Sequence, residues 1–154
     1  MKRIAVFCYG IVGFLLFNAS LLYFVGFIGN LSFLPKVIDS DPVVPLLPAI
    51  LSNVTLISIF GLQHSLMARP RFKRWIYKFL DESIERSTYV ILSSLFLFML
   101  SWHWQPLPMM LWNVTDPIRY SILNGLFWFG WGLAIFSSGL IDLLDLTGIR
   151  QVSA

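Results

Sequence analysis

The chain has 154 residues, 57% of them hydrophobic and only 12% charged, with a mean hydropathy of +0.76. Soluble domains are nearer one quarter charged, so this composition excludes an ordinary soluble core and points to lipid as the solvent. The net charge of +3 and the pI near 9.2 would suggest nucleic-acid binding if the basic residues shared a soluble face. They cluster instead at the ends of apolar runs, where topology accounts for them, and nucleic acid is not an expected partner.

Four segments have the length and apolarity of membrane spans. In chain order they cover about residues 4–28, 46–66, 88–104 and 122–144. The connections carry the expected breakers: Pro35, Pro42, Pro45 and Pro48, then Pro70, then Pro106, Pro108 and Pro117. Pro45 and Pro48 also suit the first turn of the second helix, where a missing N–H costs little. The first apolar run is too long for a signal-peptide core, and it reads as a retained span.

Lysine and arginine counts set the orientation. The N-terminus has Lys2 and Arg3, and the first connection has only Lys36. The second has Arg69, Arg71, Lys73, Arg74, Lys78 and Arg86, and the third only Arg119. The positive-inside rule then places the N-terminus, the second connection and the C-terminus in the cytoplasm. The expected fold is all-α: a polytopic membrane protein, four transmembrane helices, N-in/C-in, forming one domain over residues 1–154. The expected location is a bacterial inner membrane. Trp75, Trp102, Trp104 and Trp112 fall at interface positions. The single cysteine, Cys8, reads as a small packing residue.

Soluble catalytic motifs are missing: there is no glycine-rich phosphate loop, no paired-cysteine pattern and no H-E-x-x-H. The two histidines, His64 and His103, lie near opposite faces of the membrane by this topology, so no shared metal site is expected. Polar groups gather instead on the cytoplasmic side. Gln63, His64 and Ser65 close the second span, and Arg69 follows about one turn later. The stretch "DESIERSTYV" opens the third span, with Ser83 a plausible N-cap and Glu85 in the first turn. Glu82 can pair with Arg86, and Glu85 shares a face with Tyr89. The fourth span ends "IDLLDLTGIRQ", which puts Asp142, Asp145, Arg150 and Gln151 at the same boundary.

Each of these has a structural reading beside the functional one. Arg71, Lys73, Arg74 and Lys78 read as topology anchors. His64 is either a satisfied helix-end residue or a catalytic base. Glu85 and Arg86 either cap and pair or help form a site. Asp142 and Asp145 are costly in lipid, so they should face the bundle or the headgroups. Asn18, Asn53 and Thr55 are expected to make interhelix hydrogen bonds.

The segments "LQHSLMARPRFKRW", "ERSTYVILSSL", "WQP" and "DLTGIRQV", in that order between about residues 60 and 152, resemble the membrane methanethiol S-methyltransferases. That family is similar to NnrU-type and isoprenylcysteine carboxyl methyltransferase-like membrane proteins. The resemblance implies S-adenosylmethionine-dependent methylation of a small thiol, methanethiol giving dimethyl sulfide. It implies His64 as base or thiol-orienting group, with Glu85, Arg86 and Tyr89 shaping the same mouth. Gln63, Ser65 and Arg69 would lie near it, and Asp145, Arg150 and Gln151 would close it. The family has a histidine and an aromatic before the aspartate of D-L-x-G-x-R-Q, where Leu143 and Leu144 stand here. Relatives continue with further helices that hold the cofactor, so the chain is expected to correspond to the N-terminal half and to be inactive alone. The alternative is an NnrU-like or non-catalytic four-helix membrane protein that binds a partner or lipid through its basic loop.

Overall fold

The computed structural model describes residues 2–76, 78, 82–110 and 113–140. Among the described residues five helices follow one another: α1 (Lys2–Ile28), α2 (Leu46–Met67), α3 (Pro70–Ile76), α4 (Glu82–His103) and α5 (Pro117–Leu140). No strand occurs among the described residues. Three stretches are long and apolar enough to cross a membrane: Arg3–Ile28, Leu46–Met67 and Ser83–His103. The expected fourth span corresponds to α5. It is 24 residues long and is not among those three. The protein is an all-helical integral membrane protein.

Helix ends explain the differences from the expected boundaries. The expected fourth span starts near residue 122, whereas α5 starts at Pro117. Asp116 Oδ1 accepts from the Arg119 N–H at 2.8 Å, an N-cap bond, and Pro117 takes the first helical position. The expected third span starts near residue 88, whereas α4 starts at Glu82. Its polar first turn is helical without being apolar, so hydropathy alone misses it. Ser83 therefore lies inside the first turn and does not cap it. The short α3 falls where only a basic connection was expected, and Pro70 opens it.

The bundle is organised around α4. Residues near the start of α1 meet residues near the start of α4: Tyr9 and Thr88 hydroxyls lie 3.0 Å apart. Their far ends meet too, Tyr23 with Phe98 and Phe27 with Trp104, so α1 and α4 run parallel. The helix α2 runs antiparallel to α4. Its start meets the segment after α4 through Asn53, and its end meets the first half of α4 through Gln63 and His64. Small residues allow the close approach of α1. A Cβ on Gly13 would sit 3.5 Å from the Ser87 carbonyl, and Ser87, Ser94 and Ser101 repeat every seven residues on a buried face of α4.

Few apolar side chains are buried among the described residues. Val25, Phe27, Ala49, Met67, Val90 and Leu100 are, whereas Leu15, Leu22, Leu51, Val54 and Leu62 are exposed. Water would oppose that surface, and a hydrocarbon solvent would not. Asn53 bonds beyond its own helix, but to the segment just after α4 and not to a helix: Nδ2 donates to the Gln105 carbonyl at 2.7 Å, and Oδ1 accepts from the Gln105 N–H at 2.8 Å. Asn18 and Thr55 do not. Their side chains bond carbonyls of their own helix, Phe14 and Leu51, because a carbonyl one turn back is always within reach. At the same end as Asn53, Lys36 Nζ donates to the Trp102 carbonyl at 2.8 Å, a cation on the last turn of α4. Burial pushes its pKa below the ordinary lysine value.

Candidate functional site

The site lies where α2 ends, α3 crosses and α4 begins. His64 is one turn from the end of α2, exposed at the bundle surface. Phe60, one turn earlier on the same face, stacks on its ring with centroids 5.6 Å apart and planes 27° apart. Tyr89 approaches from α4, and its hydroxyl lies 3.0 Å from Nδ1 and 3.1 Å from Nε2. An oxygen at nearly equal distance from the two nitrogens is within reach of either one. A neutral imidazole has one N–H and one lone pair, so this hydroxyl has a donor and an acceptor before it in either tautomer.

One residue earlier on α2, Gln63 reaches inward. Its Nε2 donates to Met67 Sδ at 3.1 Å and to Ser93 Oγ at 3.4 Å. Its Oε1 is buried without a hydrogen-bond partner. The Ser87 hydroxyl, two residues before Tyr89, is likewise buried and unpartnered. Such groups are uncommon in a folded interior, because each forgoes the solvation it would have in water. The His64 end of α2 is thus fastened to α4 by an amide and a ring contact, with aromatic faces open toward lipid.

Glu85 is 8% exposed and does not turn to His64. Its Oε1 pairs with Lys73 Nζ at 3.3 Å, which ties α3 to the first turn of α4. Lys73 is therefore more than a topology anchor. Arg86 is half-buried on the next position of α4, while Ser65 and Arg69 are exposed. Of the residues named from the sequence, the fold brings Gln63, His64 and Tyr89 together. Asp142, Asp145, Arg150 and Gln151 lie outside the described residues, as do the Glu82 side chain and Trp112. Phe60, Met67, Ser93 and Lys73 were missed. Phe60 and Met67 stand four residues before His64 and after Gln63, so helical spacing alone could have found them. Ser93 stands four after Tyr89 and could have been found in the same way.

Whether these residues fit S-adenosylmethionine can be tested on their chemistry. A sulfonium cation calls for a carboxylate or an enclosing ring face. Glu85, the described carboxylate at this end, is already engaged by Lys73. A groove of about 410 Å³ lined by Tyr23, Val25, Gly26, Leu34 and Trp128 is apolar and lies at the other end of α1. The described residues do not by themselves fit that cofactor.

No protein-family model and no solved structure matches the chain. Curated relatives do. Methanethiol S-methyltransferase 2 of Bradyrhizobium diazoefficiens is 48% identical over 97% of this chain and 57% of its own length. The methanethiol S-methyltransferase of Mycobacterium tuberculosis is 40% identical over 99% of this chain and 62% of its own. A more distant relative, Nurim of Xenopus laevis, is 34% identical over 65% of this chain and 37% of its own. The chain thus spans little more than half the length of the methyltransferases it matches. The chain is a relative of the methanethiol S-methyltransferases, as its motifs implied, over nearly all of its 154 residues.

Proposed function

We propose that this protein acts in methyl transfer to a small thiol within the membrane, methanethiol giving dimethyl sulfide, and that it supplies the thiol side of the site. Two observations meet in this reading: the names of the relatives, and the contact of His64 with Tyr89 at the end of a span. The second carries the mechanism. A small thiol partitions into the bilayer and can reach His64 sideways, because that ring is exposed between apolar helices. Methyl transfer to sulfur requires the thiol to lose its proton and to be held in line with the donor.

His64 takes the proton from S–H onto the ring nitrogen that carries the lone pair, leaving a thiolate. Tyr89 accepts from the N–H of the same ring, which keeps that lone pair available and fixes the ring's rotation. Phe60 and Tyr89 exclude water from one side, so the thiolate is poorly solvated and more nucleophilic. S-adenosylmethionine, when bound, supplies the electrophilic methyl group; the charged donor has to come from the cytoplasm. Asp145, Arg150 and Gln151 are proposed to lie toward it, with Arg86, Ser65 and Arg69 at the same mouth, while Glu85 stays paired with Lys73. The proposed topology has four spans with both termini in the cytoplasm of a bacterium. In it the chain forms the N-terminal portion of the methyltransferase.

The test is headspace detection of dimethyl sulfide from cells given methanethiol and expressing the complete reading frame of the gene. His64→Ala is expected to lower production by a factor of about 100 or more, the usual scale of a lost general base. Wild-type production by a folded His64→Ala protein would remove the base assignment. A folded wild-type protein that makes no dimethyl sulfide would remove the substrate.

A further inference from the structure

We propose that the outward face of α3 and the turn after it bind the phosphate headgroups of anionic phospholipid in the surrounding bilayer. The inference needs only the membrane placement and not the proposed chemistry. The helix α3 begins three residues after α2 ends, so it lies at the boundary where a span leaves the hydrocarbon. Arg71 and Arg74, three residues apart on α3, share one face, and Lys78 stands in the turn that follows, its N–H bonding the Trp75 carbonyl at 3.3 Å. All three are exposed.

The orientation of this face is fixed by the residue on the other side. Lys73 pairs with Glu85 at 3.3 Å, and that ion pair turns Arg71 and Arg74 of the same helix away from the bundle. Trp75 is 54% exposed with its ring 5.6 Å from that of Phe72, an aromatic pair at the depth where amphipathic rings are favoured. No acidic residue occurs from His64 to Lys78, so nothing within the segment neutralises the cluster. Guanidinium groups pair two hydrogen bonds with a phosphate, and an anionic leaflet adds long-range attraction. The complementary surface for three exposed cations beside a tryptophan at a span's end is therefore the lipid phosphate plane.

The experiment places the purified protein in nanodiscs holding equal phosphatidylcholine and phosphatidylglycerol and counts retained lipids by native mass spectrometry. The wild type is expected to retain phosphatidylglycerol preferentially. Arg71→Gln, Arg74→Gln and Lys78→Gln together should reduce that enrichment by at least tenfold, since one basic residue at an anionic surface is worth about fivefold. Arg71→Lys with Arg74→Lys, which keeps the charge, should retain most of it. On the wild type alone, the enrichment should fall as salt is raised and be unaffected by inorganic phosphate at matched ionic strength. The proposal is overturned by a wild type without preference, by a folded triple variant that keeps the preference, or by displacement with inorganic phosphate, which would mark a site for the free anion.

Discussion

Asn53 offers the sharpest test of how this bundle is held together. It is 5% exposed, and its amide exchanges two hydrogen bonds with the Gln105 backbone at 2.7 and 2.8 Å. Asn53→Ala removes both and leaves a half-buried N–H and C=O behind. Interhelix side-chain bonds in membranes average about 0.6 kcal/mol and reach about 1.7. Two such bonds, plus partial burial of the abandoned backbone groups, amount to a loss of about 1–3 kcal/mol. Thr55→Val is the matched control, because Thr55 is exposed and bonds only to Leu51 in its own helix. It should cost less than about 0.5 kcal/mol. The assay is equilibrium unfolding of both variants in mixed micelles under increasing sodium dodecyl sulfate, followed by helical circular dichroism. Equal stabilities for the two variants, or a loss below about 0.5 kcal/mol for Asn53→Ala, would refute the claim that this amide fastens α2 to the end of α4.

Three further outcomes follow from the site. Tyr89→Phe keeps the ring against His64 but removes its hydroxyl, and dimethyl sulfide formation is expected to fall about tenfold, the scale of one positioning hydrogen bond. An unchanged rate and pH profile would show that the hydroxyl does not position the base. Ser87→Ala deletes a buried hydroxyl that has no partner, so the same unfolding assay should show no loss or a gain of up to about 1 kcal/mol. A clear loss would mean the hydroxyl is satisfied in the folded protein. Glu85→Gln and Lys73→Gln, made singly and together, should show a coupling of about 0.5–1 kcal/mol, modest because Lys73 is 39% exposed. Zero coupling would show that the pair does not hold α3.

The resemblance and the helical class could both be read before any coordinates. Segments between about residues 60 and 152 carry the family-like motifs, and long apolar runs broken by prolines leave helices as the only economical reading. The His64 neighbourhood was legible in part, because the residues on one helix face are set by spacing. Partners across helices were not. Asn18, Asn53 and Thr55 look alike in sequence as polar residues in apolar runs, yet only Asn53 reaches beyond its own helix. The capped start at Asp116–Pro117 and the helical first turn of α4 were likewise hidden from hydropathy, since neither is apolar.

Composition and charge pattern by themselves determined that the protein lives in lipid and is helical, and where its basic connection falls. Those properties depend on sums over many residues, which survive any arrangement of the helices. Only the tertiary structure decided that α4 lies between α1 and α2, that Tyr89 rather than Glu85 meets His64, and that Lys73 turns inward. The physical reason is that α1 and α2 are almost evenly apolar around their circumference. In lipid, a face that packs against protein and a face that meets hydrocarbon need the same kind of side chain, so the pairing of faces is set by small residues and a few polar contacts.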